Sequence, residues 1–93
     1  MQSNRKTAFI LATLDTKGPE ALYIKNKLLS LGIDAIVMDL GIYGEPLTKP
    51  DISREELLKE LSIPPGEFLA KRRSGEIRRD EAIRIMGIAA GRY

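Results

Sequence analysis

Two short apolar segments, separated by the length of one helix, constrain the fold of this chain more than any other feature. Residues 7–12 (TAFILA) and 35–38 (AIVM) lack polar alternation, which is typical of strands covered on both faces of a parallel sheet. Between them, apolar residues recur at helical spacing after Pro19, and Gly32 provides a left-handed helix stop. Strand, helix and strand with short connections predict a right-handed βαβ unit.

The helix of this unit is predicted to begin after a polar turn at residues 13–18, with Pro19 in its first turn. One face of the helix is apolar and is expected to pack on the sheet. That face comprises Ala21, Leu22, Ile24, Leu28, Leu29 and Leu31.

An irregular loop and further helices follow the second strand. Residues 40–50 contain two glycines and two prolines, which predicts a loop at the sheet edge where open α/β sheets bind ligands. Ser53 and Glu56 form a capping-box pattern, so a helix is expected to start there and to end near Leu61, before Pro64.

The last third of the chain predicts one helical turn at residues 67–71 and a longer helix from about residue 77 to 93. The apolar face of the longer helix comprises Ala82, Ile83, Met86, Ala89, Ala90 and Tyr93.

Two strands do not make a stable open sheet alone. We therefore predict the fold class as α/β, Rossmann-like and three-layered, with a partial parallel sheet (the βαβ start) followed by helices. Residues 1–93 would form a single partial α/β domain. A missing C-terminal half or a homo-oligomer would complete the sheet.

The amino-acid composition argues against several classes of enzyme, metal site and partner. The chain has no cysteine and no histidine, which argues against cysteine proteases, Ser-His-Asp hydrolases and most zinc sites. Its net charge is only +2, which by itself does not imply nucleic acid or a membrane surface as a partner. No apolar run is long enough to span a bilayer, and residues 1–6 lead into no clear signal-peptide cleavage site. These features predict a cytoplasmic protein with no membrane partner.

The first strand-to-helix turn is the best candidate for binding. Free backbone N–H groups at such a turn favour an anion, and Lys17 with the hydroxyls of Thr13 and Thr16 would contact phosphate oxygens. Asp15 would hold Mg²⁺ through water or accept a hydrogen bond from a ribose hydroxyl. The alternative interpretation is that these side chains only satisfy the turn and Gly18 caps the helix. Neither a P-loop nor a G-x-G-x-x-G motif is present.

Asp39 ends the second strand about twenty residues after that turn, where dinucleotide-binding folds place a ribose-binding acid. The alternative is a strand-end carboxylate that lies in water or caps the loop. The loop at residues 41–51 either closes over a ligand or is a passive connection.

A basic cluster lies late in the chain, at Lys71, Arg72, Arg73, Arg78 and Arg79. Acidic residues interleave with it, and aromatic residues that would stack on bases are nearly absent. The pattern favours a solvated, salt-bridged face over a nucleic-acid interface.

Three motifs together resemble a known family. Residues 12–20 (ATLDTKGPE) are similar to its T-x-D-T-K-x-x-E opening. Residues 37–53 are similar to its V-D-x-G, G-x-P and P-D-I-S elements, and residues 79–87 more loosely to its R-x-E-A-[IV] region. The family is an uncharacterised one named for its ATP-binding plant member, the tomato mosaic virus resistance protein.

The resemblance implies the N-terminal portion of a larger nucleotide-binding domain, with ATP, and Mg²⁺ alongside it, as the cofactor. It transfers no defined reaction, so whether the protein is an enzyme stays open. The implied cofactor-binding residues are Thr13, Asp15, Thr16, Lys17, Gly18, Asp39, Gly41, Gly44 and Asp51.

The leading hypothesis is thus a nucleotide-binding module whose partners are a nucleotide and either a second copy or a missing C-terminal half. The alternative is a non-catalytic oligomerisation or protein-interaction module that associates through its open sheet edge or its last helix.

Overall fold

The computed structural model describes residues 6–93 and shows a βαβ unit followed by three helices. The elements are β1 (Thr7–Ala12), α1 (Leu14–Ser30), β2 (Asp34–Asp39), α2 (Arg54–Lys59), α3 (Pro65–Ser74) and α4 (Arg79–Arg92). The two strands are parallel, in a register that pairs Thr7 with Asp34 and Ala12 with Asp39. The predicted α/β class and its βαβ start are confirmed. The N-terminal residues 1–5, part of the segment in which the sequence predicts no signal peptide, lie outside the described residues.

Strand β2 is the centre of the molecule because both of its faces are buried. Val37 packs on one face with Leu14 and Ala21 from α1. Met38 packs on the other face, in a larger cluster that α2, α3 and α4 build. The buried members of that cluster are Met38, Ile42, Ile52, Leu57, Leu58, Phe68, Leu69, Ala82, Met86 and Ala89.

Strand β1 is covered on one face only, so the prediction of two covered faces is wrong for this strand. Ile10 and Ala12 pack towards α1, whereas Phe9 is 55% exposed and Leu11 is 52% exposed. The cause is the placement of the three later helices, which gather around β2 and leave the adjoining face of β1 open to solvent.

Helix α1 begins at Leu14, so the predicted polar turn before it is wrong. Residues 14–18 are already helical, with a kink at Lys17 (φ −118°, ψ 24°). The kink lies two residues before Pro19, which has no N–H to donate to the preceding turn. The predicted stop at Gly32 is confirmed by its positive φ of 78°.

The apolar face of α1 is mostly uncovered, contrary to expectation. Ala21 is buried against the sheet, but Leu22, Ile24, Leu29 and Leu31 are exposed. The fully buried residues of α1, Leu14, Gly18 and Ala21, all lie in its N-terminal half, and Leu28 near its end is half-buried.

The capping box of α2 is confirmed: the Ser53 hydroxyl accepts from the Glu56 N–H at 3.1 Å, and the Ser53 N–H donates to the Glu56 carboxylate at 3.2 Å. Helix α2 ends at Lys59, slightly earlier than predicted. Helix α3 is ten residues long rather than a single turn; it begins at Pro65, which fits helical geometry at the first position, and ends before Gly75, whose conformation is left-handed.

Helix α4 buries a narrower stripe than predicted. Ala82, Met86 and Ala89 are fully buried, whereas Ile83 and Tyr93 are about half exposed. Within residues 6–93, no helix combines the length and the apolar character that crossing a membrane requires.

Candidate functional site

A cleft of about 140 Å³ lies where the carboxyl ends of the two strands meet the start of α1. We call it the strand-end cleft. Helices α3 and α4 and the loop after β2 complete its walls. Its lining residues are Thr13, Asp15, Thr16, Ile42, Tyr43, Arg72, Arg79 and Ile83.

The two threonines form one wall of the cleft. Their hydroxyl oxygens lie 2.9 Å apart, and the Thr16 hydroxyl also lies within 3.2 Å of the Thr13 carbonyl oxygen, to which it donates. The two side chains thus bond to each other and to a carbonyl oxygen, and Thr13 makes no side-chain hydrogen bond that caps the helix. Because each hydroxyl has a single hydrogen, and these contacts use both, a hydroxyl must reorient before it donates to a ligand.

Asp15 ties the loop after β2 to the first turn of α1. Its Oδ2 accepts hydrogen bonds from the N–H groups of Tyr43 (3.2 Å) and Gly44 (3.0 Å). Its Oδ1 lies close to Gly41, where an added Cβ would sit 3.2 Å from that oxygen and 2.9 Å from Oδ1 of Asp39. Glycine at position 41 thus lets the backbone pass between two carboxylates.

Asp39 is buried, with 1% of its surface exposed, so the interpretation of a carboxylate in water is wrong and that of a loop cap is confirmed. Its Oδ1 accepts from the N–H of Gly41 at 2.8 Å and from the N–H of Leu14, the first residue of α1, at 3.2 Å. Burial raises the pKa of Asp39, with a small further contribution from Asp15, while the two N–H donors and Arg54 oppose the rise. The Asp39 carboxylate therefore already accepts a hydrogen bond from one of the N–H groups that the start of α1 would offer to a bound anion.

Two arginines fix the tip of the same loop. Arg54 is only 3% exposed and donates to the carbonyl oxygen of Gly44. Arg73 donates from Nε and Nη2 to the carbonyl oxygen of Tyr43, at 3.2 and 3.0 Å. The loop is thus held by side chains from three elements, which makes it a fixed wall of the cleft.

Arg72 and Arg79 form the basic wall of the cleft. The Arg72 guanidinium carbon lies 5.6 Å from the centroid of the Tyr43 ring, within cation–π range. Its Nη1 lies 3.5 Å from the Ile77 carbonyl oxygen, and its Nε is buried with no hydrogen-bond partner in the described part of the chain.

The prediction that the basic cluster is a salt-bridged surface is therefore correct only in part. Lys71 pairs with Glu67 at 3.0 Å, and Arg78 with Asp80 at 3.6 Å. Arg72 and Arg73 instead turn towards Tyr43.

The structure separates the predicted site residues into two groups. Those in or beside the cleft are Thr13, Asp15, Thr16, Asp39, Gly41 and Gly44. Lys17 is exposed and does not line the cleft, and Gly18 packs on Leu47 and Thr48 instead.

Asp51 lies apart from the cleft, between α1 and β2. It accepts from the Val37 N–H at 2.8 Å and from Lys25 Nζ at 3.0 and 2.8 Å. Burial acts to raise the pKa of Asp51, but the bonds from Lys25 and Val37 outweigh it and the pKa is lowered.

Sequence reasoning missed four contributors to the site: Tyr43, Arg54, Arg72 and Arg79. Arg54 carries a usable signal, because its spacing to Leu57 and Leu58 places a charge on the apolar face of α2. Arg72 and Arg79 belong to the basic cluster of the sequence and Tyr43 to the loop after β2, but their places in the cleft depend on contacts between distant segments.

The part of the chain that the structure describes contains no group of three carboxylates or other ligating side chains that could hold a metal ion.

Comparison with known proteins defines the family. A model of the N-terminal domain of an uncharacterised protein family, UPF0261, matches residues 6–93. The chain belongs to the UPF0261 family. A UPF0261 protein of Clostridium tetani (strain Massachusetts / E88) is 42% identical over 52 residues, which cover 56% of this chain and 13% of the relative. No solved structure matches.

The predicted membership of an uncharacterised family is thus confirmed. Neither match bears on the tomato mosaic virus resistance protein, so that link stays a prediction. This UPF0261 chain spans only a small part of the relative that it matches.

Proposed function

We propose that this chain is the N-terminal part of a nucleotide-binding domain, and that the strand-end cleft receives the phosphate groups of ATP. One observation carries the proposal: two arginine guanidinium groups meet in one cleft at the carboxyl ends of parallel strands. Open α/β folds bind ligands at this edge, and arginine suits phosphate because its planar donors match phosphate oxygens.

The charges of the lining residues favour an anion. Arg72 and Arg79 oppose a single carboxylate, that of Asp15, so the lining is net positive. The buried Nε of Arg72 has no acceptor among residues 6–93, and a phosphate oxygen would supply one once the guanidinium turns towards the cleft. Asp15 is the carboxylate best placed to meet a Mg²⁺ ion bound to the phosphates, because its Oδ1 makes no hydrogen bond among the described residues.

The size of the cleft restricts which part of the nucleotide it holds. Its volume of about 140 Å³ is well below the ~300–1,000 Å³ of pockets that enclose a whole small molecule. We therefore assign the phosphates to the cleft and place the ribose and base outside it. Asp39 supports the site by holding the start of α1 and the loop, rather than by contacting ribose.

The resemblance to the ATP-binding tomato mosaic virus resistance protein supports ATP as the nucleotide. The resemblance implies no defined reaction, and no side chain that lines the cleft is arranged as a nucleophile with an adjacent base. The proposal is accordingly one of binding.

The test is the melting temperature of the full chain with Mg-ATP, with tripolyphosphate and with adenosine, each at millimolar concentration. A ligand at about 100 times its dissociation constant adds about 2.7 kcal/mol, which is several degrees for a domain of this size. We expect Mg-ATP and tripolyphosphate to raise the melting temperature and adenosine to leave it unchanged.

Two arginines on the same helix provide a matched pair of variants. Arg79→Gln removes a lining residue and is expected to abolish the shift, whereas Arg84→Gln changes an exposed residue outside the cleft and is expected to preserve it. Lys17, which the family resemblance implies as a cofactor-binding residue, does not line the cleft. We therefore expect Lys17→Ala to reduce the shift in melting temperature less than Arg79→Gln does. If neither Mg-ATP nor tripolyphosphate shifts the melting temperature, the proposed nucleotide binding is wrong. If Arg79→Gln retains the full shift, the assignment of the phosphates to the strand-end cleft is wrong.

A further inference from the structure

A wide apolar groove lies on the open face of the sheet. It encloses about 590 Å³ between the strands and the C-terminal half of α4. We call it the sheet groove. Phe9, Leu11 and Met38 line it from the strands, and Gly87, Gly91 and Tyr93 line it from α4.

The outer edge of β1 adjoins this groove and carries unused hydrogen-bonding groups. On the inner edge, the carbonyl oxygens of Lys6 and Ala12 accept from the N–H groups of Asp34 and Leu40, at 2.9 and 2.8 Å. Because main-chain groups alternate in direction along a strand, those of Phe9 and Leu11 point away from β2. Within residues 6–93, no strand pairs with that edge.

These two features together specify the shape of a partner. The edge requires an extended segment that pairs with main-chain groups, and the groove requires an apolar surface above that segment. A Cβ added at Gly87 or at Gly91 would meet nothing within 4 Å, so a helix can approach this side of α4 closely. A strand followed or preceded by an apolar helix meets both requirements.

Polypeptide outside the matching domain is available in the longer relative. The family model that matches this chain is that of an N-terminal domain, and the aligned stretch is 13% of the Clostridium tetani relative. A second copy of the chain is a poorer fit: it offers its own β1 edge, but its α4 already lines its own groove. We propose that the sheet groove and the outer edge of β1 are the docking surface for a strand and an apolar helix from the polypeptide that longer UPF0261 proteins carry beyond this domain.

The experiment co-expresses the tagged 93-residue chain with the Clostridium tetani relative from which the matching N-terminal domain has been removed, so that neither piece has to fold alone. We expect the two to purify together as a 1:1 complex, measured by size-exclusion chromatography with light scattering. In that complex, the amides of Phe9 and Leu11 are expected to exchange with deuterium at least tenfold more slowly than in the chain alone.

Two glycine-to-tryptophan variants separate the groove from the rest of the surface. Gly87→Trp fills the groove and is expected to reduce the recovered partner at least tenfold. Gly66→Trp adds the same side chain at an open position on α3 and is expected to change nothing. Both positions have free space around the new Cβ, and circular dichroism of each purified variant checks that it is folded.

Three outcomes would overturn the proposal. The first is that the wild-type chain recovers no partner. The second is that Gly87→Trp recovers as much partner as Gly66→Trp does. The third is a dimer of the chain alone in which the Phe9 and Leu11 amides are already protected, because the occupant would then be a second copy.

Discussion

At the scale of single residues, the two aspartates that bracket the loop after β2 respond to pH in opposite directions. Burial raises the pKa of Asp39 above its usual 3.8, whereas the hydrogen bonds from Lys25 and Val37 lower the pKa of Asp51 despite its partial burial. The folded chain therefore holds a proton on Asp39 more tightly than the unfolded chain does, and a proton on Asp51 less tightly.

The sign of each contribution to stability follows. Asp39 contributes stability at low pH that is lost as the pH rises from 3.8 through its raised pKa. Asp51 contributes stability that is fully present above pH 3.8 and is lost as the pH falls through its lowered pKa.

The first residue-scale prediction concerns Asp39→Asn. The amide oxygen can take the place of Oδ1, which accepts from both Leu14 and Gly41, and the buried charge disappears. We expect the free energy of unfolding of the variant at pH 7 to equal or exceed that of the wild type. We also expect the variant to lose less of this free energy than the wild type does as the pH rises from 3.8. Urea denaturation at several pH values measures both.

Asp51→Asn is the matched control with the opposite expectation. It weakens a charged bond to Lys25 at a site that is partly open to solvent, so we expect a loss of about 1 kcal/mol at pH 7. If Asp39→Asn lost as much stability as Asp51→Asn, the Asp39 carboxylate would not be a net electrostatic cost.

At the scale of elements, α1 and the loop after β2 pack so closely that one position admits only glycine. A Cβ at Gly18 would lie 2.8 Å from Cβ of Leu47 and 3.1 Å from the main-chain nitrogen of Thr48. The Leu47 N–H also donates to the Leu14 carbonyl oxygen at 2.8 Å, which holds the loop against the helix.

The element-scale prediction is that Gly18→Ala destabilises the fold by about 1–3 kcal/mol, although alanine has the higher helix propensity. The main-chain contact with Thr48 cannot give way without moving the loop. Gly66→Ala is the control, because it meets nothing within 4 Å, and it is expected to be neutral or slightly stabilising. Equal stability of the two variants in urea would show that the loop is not fixed against α1.

Sequence patterns predicted the elements well where the signal is local. The apolar runs of both strands, the Ser53–Glu56 capping box and the left-handed stop at Gly32 all depend on residues within a few positions of one another. The start of α1 was missed because its first N–H is satisfied by Asp39, which is 25 residues away in the chain.

At the scale of the whole molecule, β2 links two hydrophobic clusters into one cooperative unit. Val37 belongs to the cluster with α1, and the adjacent Met38 belongs to the cluster with the three later helices. Because successive side chains on a strand point to opposite faces, loss of one cluster removes support from the other.

The whole-molecule prediction is that Phe68→Ala costs about 3–5 kcal/mol, a large part of the ~5–15 kcal/mol that stabilises a typical domain. Phe68 is 2% exposed, in the helical cluster. We expect the amide of Val37, on the strand, to lose hydrogen-exchange protection along with the helices.

Tyr23→Ala is the control, since Tyr23 is 71% exposed on α1 and its loss is expected to change stability by less than about 0.5 kcal/mol. If Phe68→Ala melted the helices while Val37 stayed protected, the sheet and the helices would be separate folding units.

The sequence by itself determined the βαβ start, the order of the elements and the motif that leads to the family, because each depends on short-range periodicity or on a short string of residues. Only the tertiary structure decided which charged side chains are buried or line the cleft. Arg54, Arg72 and Arg79 contact the loop or line the cleft across 10 or more residues of chain, and Asp39 accepts a hydrogen bond from Leu14 of α1 as well as from its near neighbour Gly41. The same holds for the exposed side of β1: an apolar strand has the same sequence pattern whether or not a helix covers it, and only packing shows that Phe9 and Leu11 face an open groove.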